Sequence, residues 1–233
     1  MSAVEFEILQ RPDFAMLRVQ LAAGQSIYAE PSAMASMDPS IDLKAGFKGG
    51  VLGSVGRALS GESMVMNTFT AGRAAGEVMF APGAAGEVMH YNLRGGQLML
   101  QRGAYLAHGE GIDISAKWGG ARGFFSGQGL ILLRAQGSGD VFFSTYGAVL
   151  EMDVSSEGLI VDTGYIAAFE DTLSYEVSLL PGLGVGGRAK AFFFGGEGLV
   201  VRFRGQGKVW VQTRTINPFL GWVHPYRPVK KND

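Results

Sequence analysis

These 233 residues contain no cysteine, so no disulfide framework, thiolate nucleophile or cysteine-ligated metal centre can be built. Histidine is scarce: His90, His108 and His224 stand alone, none at the i, i+2 or i, i+4 spacing by which two imidazoles share a metal. No metal site and no cofactor are therefore expected. Excess charge is missing as well. Twenty basic and 21 acidic residues leave a net charge of −1, which withholds the broad positive field that non-specific nucleic-acid binding needs. No stretch approaches the roughly 18 apolar residues of a membrane-spanning helix. The N-terminus, MSAVEFEILQRPDF, is acidic and lacks the apolar centre of a signal peptide. A soluble, cytoplasmic protein is the expectation. There is no Gly-x-Ser-x-Gly elbow, and GGVLGSVGR at 49–57 lacks the Gly-Lys-Ser/Thr ending of a phosphate loop. No catalytic residue can be named, and a non-enzymatic role is expected.

Glycine, by contrast, is abundant: 36 residues, well above the average of roughly 7%. One glycine-punctuated phrase recurs three times, as SGESMVM at 60–66, SGQGLIL at 126–132 and GGEGLVV at 195–201. Its anchors Gly61, Gly127 and Gly196 are 66 and 69 residues apart. A hairpin is expected after each, in TFTAGRAAGEVMF, RAQGSGDVFF and FRGQGKVWV. A repeat this long is a whole supersecondary unit. The expectation is one all-β domain of three pseudo-threefold repeats, at about 4–80, 81–150 and 151–215, followed by a tail at 216–233. The three anchor glycines should serve as structural turns. Residues 199–204 (LVVRFR) and 208–214 (KVWVQTR) alternate with period two, as half-buried strands do. The tail's prolines argue against regular helix, and its Phe219, Trp222 and Tyr226 are expected to cover a sheet edge of the same chain.

Between the halves of each repeat lies a glycine-rich loop, at 44–59, 116–125 and 179–193. These carry apolar residues together with Lys48 and Arg57, then Arg122, then Arg188 and Lys190. Such loops suit an acidic protein partner or peripheral contact with anionic lipid, and they are the candidate interaction residues. The alternatives are RNA binding along a basic sheet edge at Arg202, Arg204 and Arg214, and anion or small-ligand binding by the loops themselves. Open β-units also leave edges to protect, so self-association is expected.

The segments MDPSIDLKAGFKGGVLGSVGRALSGESMVMNTFTA at 37–71 and GGEGLVVRFRGQGKVWVQTR at 195–214 resemble the altered-inheritance-of-mitochondria protein 24 family, also called the mitochondrial biogenesis family. The resemblance spans nearly the whole chain. It implies a fold like that of the tryptophan RNA-binding attenuation protein, in β-sandwich units repeated within one chain. Eukaryotic members of the mitochondrial biogenesis family help organise the mitochondrial inner membrane, but this sequence has no Arg-rich, acid-poor presequence, so a prokaryotic cytoplasmic member is expected. The resemblance transfers no catalytic residue.

Overall fold

The computed structural model describes residues 3–47, 65–118, 131–180 and 199–227. These residues form antiparallel sheets around three apolar clusters. The first sheet joins strands β1 (Glu5–Leu9), β2 (Met16–Leu21), β7 (Gly76–Phe80) and β4 (Met34–Met37), in the order β1-β2-β7-β4. The second and largest begins with β5 (Ile41–Phe47), β6 (Val65–Ala71) and β3 (Ser26–Ala29). It continues through β9 (Tyr105–Gly109), β11 (Ile131–Ser144) and β8 (Val88–Gln101), with β10 (Ile112–Trp118) on the free side of β11. It ends with β14 (Ile166–Glu170), β17 (Lys208–Gln212) and β12 (Val149–Asp153). The third sheet has the order β13-β16-β15, from Leu159–Asp162, Leu199–Arg204 and Ser174–Leu179.

The same ladder recurs three times, each time with one residue skipped. In β4–β7, Met34 faces Phe80 and Ser36 faces Met79. In β9–β11, Tyr105 faces Phe143 and Ala107 faces Phe142. In β14–β17, Ile166 faces Val211 and Ala168 faces Trp210. Such a bulge sharpens the local twist and lets one strand turn across a sandwich. The turn before two of these ladders is also shared. The Gln101 side chain accepts the Gly103 N–H at 2.6 Å, and Asp162 accepts the Gly164 N–H at 2.8 Å.

Burial explains why these sequences form these strands. Period-two alternation sends Leu199, Val201 and Phe203 of β16 into one cluster, where Phe203 packs edge-on against Phe169 with centroids 5.0 Å apart. In β17 the alternating residues Val209 and Trp210 are both buried, each in a different cluster, because this strand has a packed layer on both faces. Each fully buried phenylalanine contributes about 1.5–3 kcal/mol by leaving water.

Three expectations are corrected. First, the glycine phrases lead into corners, not hairpins. β6 and β7 lie in different sheets, as do β16 and β17, and neither pair is joined by a ladder. The middle copy, RAQGSGDVFF, is part of the single strand β11, whose register against β8 shifts between Gln136 and Ser138. There Gly137 takes φ +131°, and a Cβ on it would stand 2.2 Å from the Gly111 carbonyl oxygen, so only glycine permits the bend. Second, hairpin pairing is found instead in β5–β6, β10–β11 and β15–β16, which flank the predicted loops. Third, the tail holds a helix, α1 (Ile216–Val223), because Pro218 falls in its first turn, where no N–H is required. Phe219 meets Tyr146 at 6.1 Å, but Trp222 and Tyr226 are 67% and 77% exposed, so these aromatics cover no sheet edge.

Candidate functional site

The predicted interaction residues Lys48, Arg57, Arg122, Arg188 and Lys190, and the turn glycines Gly61, Gly127 and Gly196, lie outside the described residues. What is described is the stem of each loop. The last paired residues are Phe47 with Val65, Trp118 with Ile131, and Leu179 with Leu199. Each loop-bearing segment thus leaves and re-enters through two antiparallel strands at corresponding points of the recurring ladder pattern.

The basic edge is less basic in place than in sequence. Arg202 lies in register with Glu176 on the neighbouring strand, and its Nε donates to Ser178 Oγ at 3.3 Å. Arg204 is exposed beside Ser174, and Arg214 donates to its own neighbour, the Thr213 carbonyl, at 3.1 Å.

Two polar clusters that the sequence did not single out lie on the β8–β11 ladder and at the joint where β3 pairs with β9. One centres on Asp140, whose side chain is 5% exposed. Its Oδ1 accepts from His90 Nε2 at 2.8 Å and Asn92 Nδ2 at 3.0 Å, and its Oδ2 accepts from the Val4 N–H at 3.2 Å. His90 is held between Phe6 and Phe142, with centroids 4.4 and 5.2 Å away. Asp140 also walls an open cavity of about 470 Å³, with Asn92, Arg94, Glu110 and the glycines 109, 111 and 139. The other cluster holds Tyr105, whose hydroxyl lies 2.7 Å from His108 Nδ1, while the Tyr28 ring stacks on His108 at 5.0 Å. Burial, and then Glu30, push the Tyr105 hydroxyl well above its usual range. No signal in the sequence could have grouped these residues, because the β8–β11 ladder brings His90 and Asn92 to Asp140, and the β3–β9 pairing brings Tyr28 to His108.

Chemically, both clusters anchor one strand to another. Val4, 136 residues away from Asp140, is tied down by it. A similar tie crosses the β8–β14 joint, where Tyr91 donates to Glu170 at 3.0 Å and burial with that carboxylate pushes its pKa to about 12. Among the described residues, no group of three His, Asp or Glu side chains could hold a metal ion. Nor is any described helix long and apolar enough to cross a membrane.

Glu30, at the end of β3, is half-buried, and burial raises its pKa from the ordinary 4.5 to about 7. The folded state therefore keeps a proton that the unfolded chain releases between these values. The resulting stability is present below the unfolded value and is lost as pH rises through about 7. Solvent screening of a half-exposed group limits the effect to about 1 kcal/mol. Glu30→Gln, which installs the amide found at the corresponding Gln101, should flatten this slope between pH 5 and 8 in urea titrations. An unchanged slope would remove Glu30 as its source.

Comparison with known proteins agrees with the all-β architecture. The chain is 25% identical over 242 residues to an uncharacterised protein of Streptococcus pyogenes serotype M6, covering 98% of this chain and 93% of that protein. A crystal structure of a Streptococcus pyogenes protein superposes with a TM-score of 0.80 at 24% identity, covering 96% of this chain and all of that one, which shows a shared fold. The pattern of the Mitochondrial biogenesis AIM24 family matches residues 6–214, and the chain belongs to that family.

Proposed function

We propose that the protein is a non-enzymatic scaffold or interaction protein of this family. In this reading it is built from three copies of one β-unit with a fold like the tryptophan RNA-binding attenuation protein. Each unit presents one glycine-rich, cation-bearing loop to an acidic partner. The observation that carries the reading is the threefold recurrence of the loop stem. The same antiparallel pair, following the same bulged ladder strand, opens toward 48–64, 119–130 and 181–198. Three loops at matched positions supply several weak contacts at once, which raises avidity where one loop alone would bind poorly. A cytoplasmic location fits a chain without cysteine.

The test is co-sedimentation with vesicles containing anionic lipid, run beside affinity capture from the native host. Wild type is compared with a variant in which Arg57, Arg122 and Arg188 are all changed to Ser. The wild type should retain a bound fraction or a captured partner that the variant loses, and the loss should deepen at low salt, where screening is least. Equal behaviour of the two proteins in both assays would sink the loop reading.

A further inference from the structure

The chain twice joins one recurring unit to the next by the same strand pairing, and a third such joint is left open. In the first joint β3 pairs with β9: Tyr28 faces His108 and Ala29 faces Ala107. In the second, β8 pairs with β14: Met99 faces Phe169 and Leu100 faces Ala168. The shared ladders place Ala29, Leu100 and Val161 at corresponding positions, opposite Asn67, Leu133 and Val201. They likewise align Ser36 with Ala107 and Ala168. The missing third joint would therefore pair β13 with β4. In this structure those strands lie in separate sheets, at the open margins of the third and the first.

Burial separates the open joint from the made ones. His108 and Phe169 are fully buried, whereas their counterpart Met37 is 38% exposed. Met99 is 2% exposed, whereas its counterpart Ile160 is 49% exposed. The two margins also carry less charge than the other marginal strands among the described residues. Marginal strands β1, β5, β10, β12 and β15 each carry charged residues along their length. β4 reads MASM with no charge, and β13 reads LIVD with its one acid at the end, where it caps Gly164.

We propose that β13 of one copy of this chain pairs antiparallel with β4 of a second copy, in the register of the two joints inside the chain. Val161 then faces Ser36, Ile160 faces Met37 and Leu159 faces Asp38. The pairing buries Ile160 against Met37 as the second inner joint buries Met99 against Phe169. Because the two surfaces differ, assembly is head-to-tail and closes into a ring or extends, according to the rotation per copy. The proposal rests on the three-unit reading of the chain and not on any role of the loops, so failure of the vesicle or capture assays leaves it intact.

The absence of cysteine makes the test clean. Met37→Cys and Ile160→Cys are prepared as separate full-length variants, and directly opposed strand residues lie within disulfide reach. Mild oxidation of the mixture should give a covalent dimer on a non-reducing gel, with only traces from either variant alone. Met34→Cys, out of register, should not replace Met37→Cys. Light scattering should give wild type a multiple of the 24.8 kDa chain mass at micromolar concentration, and Ile160→Lys should return it to a single chain. A monomeric wild type, or no dimer from the mixture, overturns the proposal. So does a Met37→Cys/Ile160→Cys double variant that cross-links only within one chain, because the third joint would then close internally.

Discussion

Gly86→Ala is expected to cost about 3 kcal/mol or more and to lower the melting temperature by roughly 6–12 °C. A Cβ on Gly86 would stand 2.0 Å from the Thr145 carbonyl oxygen and 2.6 and 2.8 Å from the Gly147 O and N. All three are backbone atoms, so no side chain can swing away to make room. Nor can the backbone retreat cheaply. The Gly86 carbonyl accepts from the Ala15 N–H at 2.9 Å, and its neighbours are bonded on either side. Thr145 N–H donates to Glu87 O at 3.0 Å, and Gly147 N–H donates to Ala85 O at 2.9 Å. Gly83→Ala is the control, since nothing lies within 4 Å of its added carbon. It should stay within about 0.5 kcal/mol of wild type. Urea titrations of both variants decide the matter, and a Gly86→Ala protein as stable as the control would refute the close crossing.

Asp140→Ala is expected to cost about 3–5 kcal/mol, the loss typical of removing one partner from a buried charged network. Three donors lose their acceptor together: the Val4 N–H, His90 Nε2 and Asn92 Nδ2. The open cavity beside Asp140 lets water reach exposed Asn92 and the part-exposed His90, so the uncompensated loss falls mainly on the buried Val4 N–H. Asp140→Asn keeps the volume but offers one carbonyl oxygen, and its amide hydrogens point at donors, so about 1–3 kcal/mol is expected. Hydrogen exchange supplies a second measurement. The Val4 amide should lose protection in Asp140→Ala more than the amides of β16, which the change does not touch. Equal protection at Val4 in wild type and variant would show that Asp140 does not hold the N-terminal strand.

Much of the local structure was legible because it depends on neighbours in sequence. Alternation in LVVRFR and KVWVQTR marks strands whatever they pair with. The runs after the glycine phrases, TFTAGRAAGEVMF and FRGQGKVWV, likewise read as two strands around a turn of glycines. A hairpin and a sheet-to-sheet corner carry the same signal, however: two β-runs around glycine. Which one forms depends on what the second run bonds to. Gly76–Phe80 pairs with Met16–Leu21 and not with the β6 strand just before it. The tail was misread for a related reason, because a proline in the first helical turn costs nothing there while the same residue four positions later would break the helix.

Composition and pattern by themselves determined an all-β chain with many tight turns, and the segments 37–71 and 195–214 carried the resemblance to its family. Tertiary structure alone decided which strands pair across long sequence distances and which polar groups meet there. It also decided that Met37 and Ile160 are left uncovered while His108, Phe169 and Met99 are buried. The physical reason is that alternation assigns a residue to a face of its strand, but burial of that face depends on whether another strand, tens of residues away in sequence, lies alongside it.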